Sequence, residues 1–380
     1  MTRWILLIVG LAVLFLGRGN YWEYHWASKW ELLLAFFSLF VAHAVWRRVG
    51  IAAGCLTAYL LLSCLATGLP VAHFYHTLTD DVTLIALEHN ALYAYIVLMA
   101  GTIVLIGFKD SWVVPAETAL LATYVIGTLS VLCQGRGRPS MDGLYFGNPS
   151  MGLCLMATLL PFVWHWASSL MLRPRILIVA GWIATAVAIW RTGTSIPVGL
   201  LGVSTAAYTL SRYKASKTVV GSLFILAFLM VLGGSLAIGP AFFDNNGRFS
   251  EWLLAMRWWH HYMPAFVGSG FGTAQIILPG IQGPGKDSYF LWLHNDWLQI
   301  LLEGGWLGLG LAVATWAEFM RRAWKSPALF ASLSAFTAMG LMNYPLRSPI
   351  HAFSLLLVVC LIGQSSRERP LALPPVLGCK

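Results

Sequence analysis

Residues 293–308 read LHNDWLQILLEGGWLG and open an apolar helical segment with a group of polar side chains. Asn295, Gln299 and Glu303 recur at intervals of four residues, which places them on one helix face, and Asp296 lies beside them. In a bilayer, such a polar stripe must face the interior of a helix bundle or a wet cavity. The pattern therefore predicts either a functional site or a structural hydrogen-bond network between helices.

The composition around this segment is that of a membrane protein. Of the 380 residues, 58% are hydrophobic and 10% are charged, and the mean hydropathy is +0.72; a soluble domain carries about 25% charged residues. We therefore predict an all-α polytopic integral membrane protein, with one transmembrane domain over residues 1–364. The Pro-rich stretch 365–380 is predicted to be a disordered cytoplasmic tail.

The apolar runs give about twelve candidate spans of the length that a bilayer requires. They are 4–17, 30–46, 50–69, 84–107, 113–132, 149–171, 176–191, 196–211, 218–238, 297–320, 327–344 and 350–364. Most Lys and Arg residues fall on the side that holds both termini, so the termini are predicted to be cytoplasmic. The net charge of +9 is then explained by orientation, and no sequence motif predicts a nucleic-acid partner.

The segment 239–294, between the ninth and tenth runs, is predicted to be a long loop on the opposite, periplasmic side. His294 at its end is a candidate general base, because an imidazole titrates near neutral pH and can take a proton from a hydroxyl. Neither the pair His260-His261 nor any other group has the three or four ligands at suitable spacing that a metal requires. No bound metal or cofactor is predicted.

Five arginines are candidates for binding an anionic substrate, because a guanidinium binds phosphate oxygens in a two-point fashion. Arg248 follows an Asn-Asn-Gly turn and begins a predicted interfacial helix that also carries Arg257. Arg191 closes an apolar run, and Arg136 and Arg138 lie in a Gly-rich connection. For Arg248 and Arg191, an exposed or headgroup-facing position is the competing interpretation.

Four segments resemble the O-antigen ligase superfamily, which includes O-antigen ligases, O-antigen and exopolysaccharide polymerases, and protein O-oligosaccharyltransferases. They are GNPSMGLCLMATLLP (147–161), NNGRFSEW (245–252), PAFVGSGFGT (264–273) and HNDWLQILLEGGWLG (294–308), in the order that the family has. The chain departs from the family at WRTGTSIPVGLL (190–201), where relatives carry a Ser-Arg-Gly. Arg191 lies about one helical turn before that place.

The resemblance implies a bundle like that of the C-type glycosyltransferases, in the bacterial inner membrane. It implies inverting transfer of a glycan from undecaprenyl diphosphate to an acceptor hydroxyl at the periplasmic face, without a metal. The acceptor would be lipid A-core, another glycan or a protein. His294, Arg248 and Arg191 would be catalytic, and Arg136, Arg138, Asn295, Glu303 and Arg257 would bind substrate. A lipid-linked glycan transporter without covalent chemistry is the rival class.

Overall fold

The computed structural model describes residues 41–63, 111, 113–133, 149–169, 182–187, 196–214, 248–271, 273–274, 278, 293–343, 345–347 and 349–365. Within these residues every regular element is a helix, as the sequence predicts. The helices are α1 (Ile51–Ser63), α2 (Val113–Cys133), α3 (Pro149–Ser169), α4 (Ile196–Arg212), α5 (Arg248–Tyr262), α6 (Asp296–Ala323), α7 (Pro327–Met342) and α8 (Pro349–Ser365). A one-turn 3-10 helix occupies Pro345–Arg347, and residues 41–48 and 182–187 are also helical.

The helix positions follow the apolar runs. Helices α2, α3, α4, α6, α7 and α8 occupy the runs predicted from 113, 149, 196, 297, 327 and 350. The helical part of the prediction is confirmed for these intervals. The runs predicted at 4–17, 84–107 and 218–238, and the tail from residue 366 onward, lie outside the described residues.

Three of the helices begin at a proline. Pro149, Pro327 and Pro349 each stand at the first helical position of α3, α7 and α8. This position suits proline because the first N–H groups of a helix have no partner within it, and the ring fixes a helical φ. The local sequence therefore decides where these helices begin.

Length and composition mark one helix of the described residues as able to cross a bilayer. Helix α6 has 28 residues with a mean hydropathy of 1.4 over its most apolar window, and a bilayer core requires about 20. The apolar stretches of α1, α2, α3, α7 and α8 are shorter by the same measure. The all-helical architecture is compatible with a helical membrane protein.

The chain divides into two compact units. The first comprises the described residues within Met1–Gly107, Leu254–Trp292 and Gln299–Thr315, and the second those within Phe108–Leu253, Leu293–Leu298 and Trp316–Lys380. Helices α5 and α6 therefore contribute residues to both units, and each unit is described by itself below.

Helix α7 forms the core of the second unit. It packs on α3, α4 and α8, and α3 also packs on α2 and α4. Every residue from Ala328 to Phe336 is buried, as expected of a helix that is apolar around its whole circumference. The Ser332 hydroxyl donates to the Thr158 carbonyl of α3 at 2.8 Å. The small residues of α7 permit this close approach of the two backbones.

The first unit contains a break in α6 at Gly305. Its φ of 60° and ψ of −166° are not helical and belong to a region that is essentially restricted to glycine. The break leaves backbone N–H and C=O groups of α6 without their usual helical partners. These groups form hydrogen bonds with the segment 265–270 instead. Trp306 and Leu307 donate to the Ala265 and Phe266 carbonyls, and Ser269 and Gly270 donate to the Leu302 and Glu303 carbonyls, at 2.7–3.0 Å.

Tyr59 of α1 joins both sides of this pairing. Its hydroxyl lies 2.7 Å from the Val267 carbonyl and 2.8 Å from the Gly304 carbonyl. Its ring lies where a side chain at Gly304 or Gly308 would make contact. Because Gly304 and Gly308 have no side chains, the aromatic ring of Tyr59 can pack against α6 at these two positions.

We predict that Gly305→Ala strongly destabilises the protein, whereas Gly310→Ala does not. A Cβ at position 305 would overlap the Phe266 carbonyl, and the backbone conformation is itself unfavourable for alanine; together these effects cost at least about 2 kcal/mol. Gly310 lies on the same helix, and a Cβ added there would have no neighbouring atom within 4 Å, so alanine should stabilise the helix by up to about 1 kcal/mol. Thermal unfolding midpoints of the two purified variants in detergent test this, and equal midpoints would contradict it.

Candidate functional site

His294 lies at the turn that leads the chain into α6. Its φ is 52°, in the left-handed region that residues other than glycine seldom adopt, although His, Asn and Asp do so more often than most. The residue is partly exposed, and the buried Asn295 follows it. The Trp252 indole N–H donates to the carbonyl of Leu293, directly before His294. The imidazole is thus carried on a short, constrained turn.

Arg248 is held near the same turn. Its Nη1 donates to the carbonyl of Met342, the last residue of α7, at 3.0 Å. Trp252 follows one helical turn after Arg248 on the same face of α5, and its indole bonds a residue 41 positions further along the chain. The structure therefore brings together two candidates, Arg248 and His294, that are far apart in sequence.

Asn295 and Asp296 form structural hydrogen bonds in the second unit. Asn295 is the N-cap of α6, and its side-chain oxygen accepts from the Leu298 N–H at 3.0 Å. The Asp296 carboxylate accepts from the Leu346 N–H at 2.9 Å. Both side chains are buried. These bonds attach the start of α6 to the segment after α7, and so position His294.

Glu303 and Gln299 belong to the first unit, where both are 1% exposed. One Glu303 carboxylate oxygen accepts from the Gln299 side chain at 3.1 Å and from the Ala274 N–H at 3.2 Å. The Gln299 side-chain oxygen has no hydrogen-bond partner among the described residues. The Glu303 carboxylate therefore has a structural role, because it is buried and accepts hydrogen bonds from a backbone N–H and a side-chain amide. It is at the same time a candidate binding group.

Of the remaining candidate arginines, Arg257 is the one that the structure describes. Arg257 is exposed, and it follows Arg248 by nine residues, which places it on the opposite face of α5. Arg191, Arg136 and Arg138 lie outside the described residues. The predicted helix beginning at Arg248 is confirmed by α5.

Sequence reasoning missed the groups that hold the candidates in place. The partners of Arg248, Trp252 and Asp296 are backbone groups of Met342, Leu293 and Leu346. A backbone carbonyl or N–H belongs to every residue type, so no residue pattern could have identified these partners. By residue type alone, Trp252 is expected only at a membrane interface.

The arrangement is suited to acid–base chemistry on an anionic substrate. It offers a partly exposed imidazole and a guanidinium anchored to a helix C-terminus. Among the described residues, no three His, Cys, Asp or Glu side chains form a group that could hold a metal ion.

Comparison with known proteins assigns the chain to no family. No protein-family model matches the chain, and no curated protein sequence matches it.

We predict that Asn295→Ala destabilises α6 by about 1 kcal/mol, the usual cost of removing an N-cap side chain. Asn295→Asp retains the capping oxygen and should keep the stability of the wild type. The two thermal midpoints, measured on purified protein, test the capping role. A midpoint for the Asp variant as low as that of the Ala variant would contradict it.

Proposed function

We propose that the protein is an inner-membrane glycosyltransferase that transfers a glycan from undecaprenyl diphosphate to an acceptor hydroxyl, in the manner of an O-antigen ligase. The proposal includes about twelve spans, cytoplasmic termini and a reaction site at the periplasmic face. It takes its reaction class from the four segments between residues 147 and 308 that resemble the superfamily.

One structural observation supports the site more than any other. His294 and Arg248, separated widely in sequence, are linked to one cluster through the Trp252 bond to Leu293. A general base and a phosphate-binding cation must lie near each other for this reaction, because one serves the attacking hydroxyl and the other the leaving group.

The proposed reaction has one covalent step. The His294 imidazole takes the proton of the acceptor hydroxyl as its oxygen attacks the anomeric carbon. The bond from that carbon to the diphosphate oxygen breaks, and the configuration at the carbon inverts. Undecaprenyl diphosphate leaves with the bonding electron pair, and the imidazolium later releases its proton to water.

Arginines would stabilise the negative charge that develops on the diphosphate. A guanidinium has five N–H donors, so Arg248 can bond the Met342 carbonyl and a phosphate oxygen together. Arg191, Arg136, Arg138 and Arg257 are further candidates through the resemblance and the sequence. Asn295 and Glu303 are proposed to contact the glycan. Polymerases and protein O-oligosaccharyltransferases of the superfamily would differ only in the acceptor.

Transport of a lipid-linked glycan is the second candidate function. The observation that favours it is the break in α6 at Gly305 beside the buried carboxylate of Glu303. Discontinuous helices with buried polar groups are a common feature of transporter binding sites. A transporter would move the donor without forming a glycosidic bond, so a product assay separates the two functions.

We predict that His294→Asn strongly lowers the rate of transfer without unfolding the protein. Asparagine tolerates the left-handed backbone at this position but cannot act as the base, so the rate should fall by about 10²–10⁴-fold. The matched control is His260→Asn, which alters an exposed histidine of α5. The assay supplies undecaprenyl-diphosphate-linked glycan with lipid A-core, a second lipid-linked glycan or a Ser-containing protein.

Transfer by the His294→Asn variant at the wild-type rate would refute the assignment of the base. If the wild type forms no product with any acceptor although it binds the donor, transport becomes the better explanation of the site.

We predict that Arg248→Lys lowers kcat/KM by about 10²-fold, as loss of one donor to a developing anion does. Lysine keeps the charge but lacks the planar fork of donors. Arg47→Lys, at an exposed arginine of the first unit, serves as the control. A drop confined to thermal stability, with an unchanged kcat/KM for the folded fraction, would show that Arg248 only anchors α5 to α7.

A further inference from the structure

A cluster of basic side chains lies at the end of the second unit that is remote from His294. Helix α7 links the two ends: its last residue, Met342, accepts from Arg248, and its first turn follows Lys325. Its 16 residues separate the ends by about 24 Å. We call this cluster the basic end; its members are Arg212, Lys214, Arg321, Arg322 and Lys325.

A hydrogen bond joins the two chain segments of the basic end. The Ser211 hydroxyl, near the end of α4, donates to the carbonyl of Trp324, which follows α6, at 3.2 Å. Lys214 adopts a left-handed φ of 53°, and its N–H donates to the Ser211 carbonyl at 3.1 Å. The Trp324 ring packs edge-on against Phe330 of α7, with centroids 4.8 Å apart. The cations therefore lie on a defined surface.

The positive charge of this surface is only partly neutralised. Glu318 forms ion pairs with Arg321 and Arg322, both at 2.7 Å. Arg212, Lys214 and Lys325 are exposed, and no ion pair with them occurs among the described residues. Cations in the last turn of a helix complement its dipole. Lys214 and Lys325, however, lie beyond the ends of α4 and α6 and are not required for that purpose.

The aromatic residues here have the composition of a membrane interface. Tyr213, between Arg212 and Lys214, is 80% exposed, and Trp324 is partly exposed beside Lys325. Trp and Tyr are enriched at the level of the lipid headgroups, and Lys and Arg at the cytoplasmic ends of spans. The apolar helix α6 ends at this surface, which places the cations at headgroup depth if α6 crosses the bilayer.

We propose that the basic end binds the headgroups of anionic phospholipids in the cytoplasmic leaflet. Juxtamembrane Lys and Arg clusters attract such lipids electrostatically, and the exposed tyrosine and half-exposed tryptophan supply contact with the adjoining acyl region. The inference depends on the membrane embedding in the proposed function but not on glycosyl transfer. A protein that transfers glycan normally and ignores anionic lipid would refute this inference alone.

The test measures the thermal unfolding midpoint of the full chain in bilayers of phosphatidylcholine, with and without phosphatidylglycerol. We expect phosphatidylglycerol to raise the midpoint of the wild type. Lys214→Gln/Lys325→Gln should lose most of that increase, because each cation contributes roughly fivefold in apparent affinity for anionic lipid. Lys214→Arg/Lys325→Arg should keep it. Arg47→Gln/Arg48→Gln removes the same charge elsewhere and should also keep it.

Three results would overturn the proposal. The first is a wild type whose midpoint does not respond to phosphatidylglycerol. The second is an equal loss in the Arg47→Gln/Arg48→Gln control, which would show that overall charge attracts the lipid. The third is an equal increase from inorganic phosphate in phosphatidylcholine, which would show a free-anion site. If the double glutamine variant does not fold, Lys325→Gln is compared with Lys325→Arg in the same way.

Discussion

The first unit depends on the hydrogen bonds that the segment 265–270 forms with the backbone of α6 on both sides of Gly305. A break in an apolar helix leaves N–H and C=O groups without partners, and such groups are costly away from water. The segment 265–270 bonds them on both sides of the break, and Tyr59 bonds a carbonyl on each side of this pairing. Glu303, at the break, accepts from Ala274 and Gln299. The polar side chain and the irregular backbone therefore stabilise one another.

In the second unit, the backbone groups without helical partners are those at the ends of the helices. The C-terminal carbonyl of α7 accepts from Arg248, the N-terminus of α6 is capped by Asn295, and Asp296 bonds the segment that follows α7. These contacts all lie around the turn that carries His294. A side chain that must hold a fixed position for acid–base chemistry benefits from neighbours that are themselves held by hydrogen bonds.

The polar residues at the start of α6 differ in whether a structural role accounts for them. Asn295 and Asp296 have structural hydrogen bonds in the second unit, which is the alternative that the sequence pattern leaves open. His294 differs because it is partly exposed and lies in the left-handed region. Residues held in strained backbone regions cluster at functional sites, where the surrounding contacts offset the strain. This contrast makes His294 the most informative position for mutation.

The sequence alone determined the helical class and the position of most described helices, because apolar runs of span length and prolines at first helical positions act locally. It also singled out Arg248 and His294 as candidates, by residue type and by resemblance. Only the tertiary structure decided that Trp252 joins these two segments and that Gly305 breaks α6. The physical reason is that the deciding partners are backbone carbonyls and N–H groups. Every residue carries them, so their pairing depends on the packing of helices and not on residue type.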